Sequence, residues 1–232
     1  MKVRSMCAVA GLGLLLTGCT TMVSGTAQPA DHDGPIKAKP ISASAMAGKL
    51  LDTSEVADIV KTNGTLIQRS TSSTMGDTGA VAKKECRASW SPMQEAAYNG
   101  SGWSDALANT YDDAPDADTR PENGVVEAVV RFADSDAADT FFTKAKSLWS
   151  QCADQSVVYD GDSKRIWRYS AMTEPEGAIQ IKQAAEGAGG WGCSRVLGVR
   201  NNIAIDVMHC GTDPADQGVA VFNAIAANIE KS

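Results

Sequence analysis

The sequence predicts an α+β fold in which a mainly antiparallel, twisted sheet packs with a few helices. Short strand-like segments follow one another through turns, which is typical of antiparallel meanders. Helical patterns lie near both ends of the folded region and once in its middle. Four cysteines remain beyond the N-terminal segment, and in an exported chain they indicate two disulfides; they are Cys86, Cys152, Cys193 and Cys210.

The folded region is predicted to open with a helix followed by a strand. In LLDTSEVADIVKTNG, Asp52 or Thr53 serves as the N-cap, acids lie in the first turn, and Asn63-Gly64 ends the helix. The next segment, TLIQRSTS, alternates in the manner of a strand.

A second helix is predicted at Ser91-Pro92-Met93-Gln94, which combines an N-cap serine, a proline at the first helical position and a glutamine three residues after the cap. This arrangement predicts a capping box and a helix through about Tyr98. The glycines of Gly100–Gly102 then break the helix, and WSDALANTY is expected to form a strand.

The middle of the chain carries the strongest patterns. GVVEAVVRF is apolar and β-branched, as in a central strand. DSDAADTFFTKAKSLWSQC follows with a buried stripe at helical spacing, which includes Phe141, Trp149 and Cys152. Further strands are predicted at SVVYD, RIWRYSA and AIQIKQAA, and a final helix after Asp213-Pro214.

The N-terminus is typical of a secretory signal peptide over residues 1–18. Lys2 and Arg4 precede an apolar run, Ala8–Leu16, that is too short to span a bilayer. The run leads into LTGC, which resembles the lipobox of bacterial lipoproteins and makes Cys19 the predicted lipidation site. An ordinary cleaved signal, or an uncleaved one, is the alternative.

Residues 19–49 are predicted to be a lipidated N-terminus and flexible tether, and residues 50–232 one folded domain. The segment up to Lys49 is rich in Ala, Ser, Thr, Gly and Pro and has no sustained apolar period. The remainder is long enough for a single domain with its own core.

The charge of the chain argues against a nucleic-acid partner. Its net charge is −7, and removal of Lys2 and Arg4 with the signal peptide lowers it to about −9. Phosphate binding needs clustered lysines and arginines, and the sequence shows no such cluster. The negative charge also disfavours electrostatic adhesion to anionic lipids. Membrane attachment is therefore expected to come from acyl chains on Cys19, at the extracytoplasmic face of the cell membrane.

A hairpin predicts the first disulfide. A two-residue type I′ turn at Asn201-Asn202 pairs Arg200 with Ile203, and counting outward then places Cys193 opposite Cys210. This is a non-hydrogen-bonded pair, whose Cα atoms approach to about 4.5 Å, within the range that a disulfide accepts.

The same register has three consequences. The second disulfide is left to Cys86 and Cys152, out of three possible connectivities. Arg195 and Asp206 become diagonal neighbours and are expected to form an ion pair. His209 faces away from the cysteines beside it, because adjacent strand residues point to opposite sides, so no metal site is expected here.

Other patterns favour binding over catalysis. The G-x-G-x-x-G match at Gly187, Gly189 and Gly192 precedes a strand instead of a helix, and is interpreted as a flexible run rather than a phosphate loop. The acidic loop 112–118 lacks the EF-hand spacing and is interpreted as solvated. We expect no enzymatic activity, no cofactor and no metal. Alternation in RIWRYSA places Trp167 and Tyr169 on one face, and together with Trp103 they are the predicted wall of a ligand cleft.

Three sets of motifs stand out in the folded region: ECRASW with YNGSGW, VVEAVVRFADSDAADTFFTKAKSLWSQCA, and GGWGCSRVLGVRNNIAIDVMHCG with DQGVAVFNAIAANI. Together they resemble the PknH-like extracellular sensor domain, found in a mycobacterial receptor kinase and in mycobacterial lipoproteins. The resemblance implies an α+β domain with two disulfides of the pairing above and a surface cleft for a ligand. We therefore expect a lipid-anchored envelope lipoprotein whose domain binds a small molecule, lipid or glycan. The alternative is a module that docks on an envelope protein or the cell wall without such a pocket.

Overall fold

The centre of the domain is one antiparallel sheet of eight strands. It is seen in a computed structural model that describes residues 37–116, 118–161 and 164–231. The strands are β1 Ile67–Ser72, β2 Asp105–Asp112, β3 Asn123–Arg131, β4 Ser156–Asp160, β5 Lys164–Tyr169, β6 Ala178–Ala185, β7 Trp191–Arg200 and β8 Ile203–Thr212. Their order across the sheet is β1-β2-β3-β8-β7-β6-β5-β4. Two meanders, β1–β3 and β4–β8, therefore join where β3 pairs with β8.

Helices cover both faces of this sheet. Val196 and Leu197 are neighbours on β7 and point to opposite sides, as strand geometry requires. Val196 packs with Phe222 on one side, which we call the α5 face, and Leu197 packs with Trp149 on the other, the α4 face. The α-helices in the described part of the chain are α1 Thr53–Val60, α2 Arg87–Trp90, α3 Glu95–Tyr98, α4 Ser135–Ser150 and α5 Gln217–Glu230. None of the helices in these ranges is long and apolar enough to cross a membrane.

The predicted first helix is confirmed. Asp52 accepts hydrogen bonds from the N–H groups of Ser54 and Glu55, at 2.8 and 2.9 Å, and the Glu55 carboxylate accepts from the Asp52 N–H at 2.8 Å. This is a complete capping box. The helix ends at Lys61, whose φ of 56° is left-handed, slightly before the predicted Asn63-Gly64 stop.

The predicted capping box at Ser91 is wrong. Helix α3 begins only at Glu95, and Met93 has a left-handed φ of 54°. The reason lies in the sheet beneath, where buried Asp206 accepts the Met93 N–H at 2.9 Å and Arg195 donates to the Ser91 carbonyl at 2.9 Å. These charged hydrogen bonds are stronger than a local cap and shape the segment into a turn.

Helix α4 follows its pattern closely. Asp134 caps it by accepting from the Ala137 N–H at 2.9 Å. Its buried stripe of Ala138, Phe141, Ala145 and Trp149 lies against the sheet, and Cys152 is buried just beyond the helix. Burial of each large side chain contributes roughly 1.5–3 kcal/mol.

The predicted hairpin register is confirmed. Cys193 pairs with Cys210 in the ladder, and they form a disulfide with Cα atoms 4.0 Å apart. Cys86 and Cys152 form the second disulfide. The turn type differs from the prediction, because only the first asparagine, Asn201, has a positive φ, of 54°. Positive φ at the first central position alone is the feature of a type II′ turn, which matches strand twist as type I′ does.

The packed chain starts earlier than the predicted boundary at Leu50. Ile41 and Met46 are buried, at 6 % and 3 % exposure, in the core of the α5 face. The side chain of buried Asn202 holds both backbone groups of Ile41, accepting from its N–H at 2.7 Å and donating to its carbonyl at 3.1 Å. Residues 41–49 therefore belong to the packed domain. The predicted signal peptide and Cys19 lie outside the described residues.

Candidate functional site

The three rings of the predicted cleft do not form one wall. Trp103 lies just before β2, whereas Trp167 and Tyr169 lie on β5, and four strands separate β2 from β5 in the sheet. At about 4.8 Å per strand spacing, this is roughly 24 Å. Trp103 instead borders a separate hollow of about 240 Å³ with Met75 and Asn99.

Trp167 serves in packing. Its ring lies edge-on to that of Trp90, with centroids 5.4 Å apart, and Trp90 stacks on Tyr159 at 5.0 Å with an interplanar angle of 4°. Both arrangements are favourable geometries for aromatic pairs. This ring cluster holds α2 against β4 and β5 on the α4 face.

A cavity of about 590 Å³ opens on the α5 face, and we call it the main cavity. Arg168, Ala184 and Gly192 lie opposite one another in the register of β5, β6 and β7 and border it, together with Lys182. The loop before α5, residues 213–215, forms its rim. Of the three predicted cleft residues, Tyr169 is the one that borders this cavity, but its side chain is buried in the core of the α4 face, so its ring does not form the wall.

Small residues and the late start of α5 leave this space open. The helix packs on β7 and β8 but begins only at Gln217. Ala184 is exposed, and Gly192 has no side chain; a Cβ at Gly192 would lie 2.6 Å from the Gln183 carbonyl oxygen. The rim is held by the Asp213 N–H, which donates to the Gly190 carbonyl at 2.8 Å.

Ion pairs border the main cavity on two sides. The Lys182 ammonium lies 3.2 Å from the Asp216 carboxylate, and the Arg168 guanidinium lies 2.7 Å from the Glu186 carboxylate. Since these side chains are substantially exposed, each pair contributes at most about 1 kcal/mol to stability. Their charged groups remain accessible to a polar part of a ligand.

A second cavity, of about 410 Å³, lies on the other side of the Glu186–Gly190 segment, and we call it the cationic cavity. It is bordered by Arg120, Lys164 and Arg165, and by Ile166, whose side chain is among the exposed large apolar ones. The sequence did not reveal this cluster, because Arg120 lies in the loop before β3 while the other cations lie on β5. Only the fold brings them together.

His209 of the β7–β8 hairpin is buried and contacts Asn123. His209 pairs with Ser194 across the ladder and points to the face opposite the Cys193–Cys210 disulfide, as predicted. Its Nε2 lies 3.2 Å from Asn123 Oδ1, and burial lowers its pKa from 6.5 to about 4. A neutral histidine outside both cavities is not arranged to activate a nucleophile within them.

The acidic loop is occupied by contacts of its own. Asp113 accepts from the backbone and side-chain N–H groups of Asn123, each at 2.9 Å, and Asp116 accepts from Thr119. Over residues 37–116, 118–161 and 164–231, no group of three or more His, Cys, Asp or Glu residues is arranged to hold a metal ion.

These features define the class of protein. An antiparallel α+β domain with two disulfides is typical of proteins outside the cytoplasm. The family model for the PknH-like extracellular domain matches residues 41–228. The chain therefore belongs to this family, as its motifs predicted, and membership supports an extracytoplasmic location.

Known relatives and a solved structure agree with this assignment. The chain is 25 % identical over 194 residues to serine/threonine-protein kinase PknH of Mycobacterium bovis, covering 83 % of this chain and 32 % of the relative. For PknH of Mycobacterium tuberculosis the values are 25 %, 83 % and 30 %. The crystal structure of the extracellular domain of that kinase matches with a TM-score of 0.78 at 23 % identity, over 84 % of this chain and 99 % of that one.

The chain thus spans about a third of the length of the kinases that it matches. Both the family model and the solved structure describe an extracellular domain and not a kinase catalytic domain. The likeness to the crystal structure establishes the shared fold.

Proposed function

We propose that the protein is a lipid-anchored lipoprotein of the cell envelope, whose extracytoplasmic domain binds a small molecule, lipid or glycan in the main cavity. The observation that carries this proposal is the cavity itself. Its volume of about 590 Å³ lies within the range of small-molecule sites, roughly 300–1,000 Å³. Small or apolar residues, Ala184, Gly192 and Pro214, border it, with a few charged groups around them.

The anchoring part of the proposal is supported by the sequence alone. Cys19 follows an apolar run in the LTGC pattern, and the domain belongs to an extracellular family. Acyl chains on this cysteine would hold the domain at the membrane without a spanning helix.

Native mass spectrometry tests the binding part. Protein extracted gently from its own envelope is expected to carry a co-purifying small mass. Ala184→Trp places a large ring in the main cavity from an exposed position, so the added mass should be lost. Ala133→Trp, at an exposed position before α4, is the matched control and should retain it.

Equal occupancy in the two variants would contradict binding in the main cavity. An empty parent protein that is instead recovered with an envelope protein would favour the alternative of a docking module. Thermal unfolding of both variants shows whether each remains folded.

A further inference from the structure

We propose that the cationic cavity binds a phosphate or sulfate group. This deepens the proposed function, on which it rests: the oxyanion would be the polar end of the ligand whose body occupies the main cavity. Neither the family match nor the relatives assign this site.

The positive charge here is concentrated and only partly balanced. Arg120, Lys164 and Arg165 border one cavity of about 410 Å³ in a chain whose net charge is −7. In the described ranges, Arg120 and Arg165 have no carboxylate within ion-pair distance. Lys164 lies 3.9 Å from Asp160, and both side chains are more than half exposed, so this pair is weak.

The acid that does line the cavity is already engaged. Glu186 lies 2.7 Å from the Arg168 guanidinium, which offsets part of its charge from the side of the main cavity. Arg120, Lys164 and Arg165 therefore leave an excess of positive charge on the other side. A tetrahedral oxyanion matches such a site, because guanidinium groups donate paired hydrogen bonds to its oxygens.

Arg120 is held in place by a neighbouring ring. Its guanidinium carbon lies 4.1 Å from the centroid of the Trp191 ring, within the range of a cation–π contact. Stacking on the ring face leaves the donor edge of the guanidinium free. Arg120 therefore loses less side-chain entropy on binding an anion than a mobile arginine would.

The glycine-rich loop adds a backbone donor. Gly187 lines the cavity with a left-handed φ of 66°, and its N–H donates to no other residue in the described part of the chain. The G-x-G-x-x-G motif of a dinucleotide-binding loop leads into a helix, whereas strand β7 follows here, so the match does not indicate a dinucleotide site. The loop still borders a cavity rich in cations, where backbone N–H groups complement an anion.

The two cavities are bordered by neighbouring parts of the same segment. Residues 186–188 border the cationic cavity, while Gly190 and Gly192 border the main cavity. Exposed Ile166 directly follows Lys164 and Arg165 on β5 and borders the cationic cavity with them. An amphiphile fits this arrangement, with its phosphate or sulfate head in the cationic cavity and its apolar body in the main cavity.

Calorimetric titration with inorganic pyrophosphate, at low and at physiological salt, tests the anion site directly. The double variant Arg120→Gln/Arg165→Gln is expected to bind at least about tenfold more weakly, since two charged hydrogen-bonding groups are lost. Lys164→Gln should weaken binding less. Lys144→Gln, at an exposed position of α4, is the control matched to it in charge and should change the affinity by less than about twofold.

Dioctanoyl phosphatidic acid distinguishes the two sources of phosphate. Tighter binding than pyrophosphate, lost in the double variant, identifies a lipid headgroup; equal affinity identifies a free oxyanion. Absence of pyrophosphate binding, or an equal loss in the Lys144→Gln control, overturns the anion site. Ala184→Trp should still bind pyrophosphate, so failure of the main cavity and failure of the anion site are separate results.

Discussion

The guanidinium of Arg195 and the carboxylate of Asp206 lie 2.5 Å apart inside the α4 face, and each side chain is only 1 % exposed. Asp206 also accepts from the Met93 N–H and the Tyr98 hydroxyl, each at 2.9 Å, and Arg195 donates to the Val207 carbonyl at 2.9 Å. The pair therefore joins two strands of the hairpin to the turn before α3. The diagonal neighbours expected from the sequence do form an ion pair.

Asp206→Asn should destabilise the domain by about 3–5 kcal/mol, because it leaves the Arg195 charge buried without its counterion. Asp105→Asn is the control, since Asp105 pairs with Arg131 at 2.5 Å near the surface and should cost no more than about 1 kcal/mol. Urea unfolding followed by tryptophan fluorescence measures both. Similar losses of unfolding free energy in the two variants would show that the buried Arg195–Asp206 pair matters no more for stability than the surface pair.

Glu127 makes the stability of the domain depend on pH. Its carboxylate is fully buried and accepts from the Leu51 N–H and the Tyr111 hydroxyl, each at 3.1 Å. Burial raises the pKa of Glu127 from 4.5 to about 7. In the unfolded chain the group ionises near pH 4.5, so the folded state holds the proton over a higher range and stability falls as the pH rises from about 4.5 to 7.

Glu127→Gln should remove this dependence. The free energy of unfolding of the parent protein is expected to fall by about 3 kcal/mol across the window and to level off above it. The variant should be more stable than the parent at pH 8 and similar near pH 4.5. Urea unfolding at a series of pH values checks this, and parallel profiles for the two proteins would contradict the assignment to Glu127.

The two disulfides should contribute unequally. Cys86–Cys152 spans 66 residues and Cys193–Cys210 spans 17. Loop-closure entropy then predicts that Cys86→Ala/Cys152→Ala costs about 4 kcal/mol and Cys193→Ala/Cys210→Ala about 3 kcal/mol. Denaturant unfolding of the double variants measures this order. Peptide mapping without reduction should recover the same two pairs, and a crossed pair would refute them.

Asn202→Ala should release the start of the packed chain. Asn202 makes two hydrogen bonds to Ile41 and a third to the Phe132 carbonyl, at 2.8 Å. Loss of all three, at about 1 kcal/mol each, predicts a destabilisation of roughly 3 kcal/mol and faster proteolysis within residues 37–49. Asn201→Gly is the comparison: glycine adopts the positive φ of this position without strain, and only the one hydrogen bond from Asn201 to the Lys39 carbonyl, at 2.7 Å, is lost. This variant should therefore cost about 1 kcal/mol, clearly less than Asn202→Ala. An unchanged rate of proteolysis in Asn202→Ala would show that these hydrogen bonds do not hold residues 37–49 in place.

Cys19→Ala tests the proposed anchor. The variant should accumulate in the soluble fraction or remain unprocessed, because the acceptor of the acyl chains is gone. Fractionation with detection by mass spectrometry distinguishes these outcomes from the parent protein. Unchanged membrane retention with normal processing would exclude the lipobox interpretation.

Local patterns predicted much of this fold. The stripe of α4 and the Asp52 cap depend on residues a few positions apart, and the Cys193–Cys210 register depends on one short turn. The cap at Ser91 failed because the competing partners, Arg195 and Asp206, lie more than a hundred residues away in sequence.

The candidate site was harder to predict, since it depends on strand order. Alternation correctly placed Trp167 and Tyr169 on one face, but it contained no information that four other strands separate β2 from β5. The basic cluster of Arg120, Lys164 and Arg165 was missed for the same reason. A pattern reports which side of a strand a residue faces, and only tertiary structure reports its neighbours.

The hydrogen bonds from the Asn201–Asn202 turn to Lys39 and Ile41 fix the start of the packed chain at one end of the β7–β8 hairpin. Residues 39–41 lie at this turn, whereas both cavities adjoin residues 186–192, at the opposite end of β7. Ten residues of strand separate the two ends by about 30 Å. Substitutions that loosen the start of the packed chain are therefore expected to leave both cavities intact.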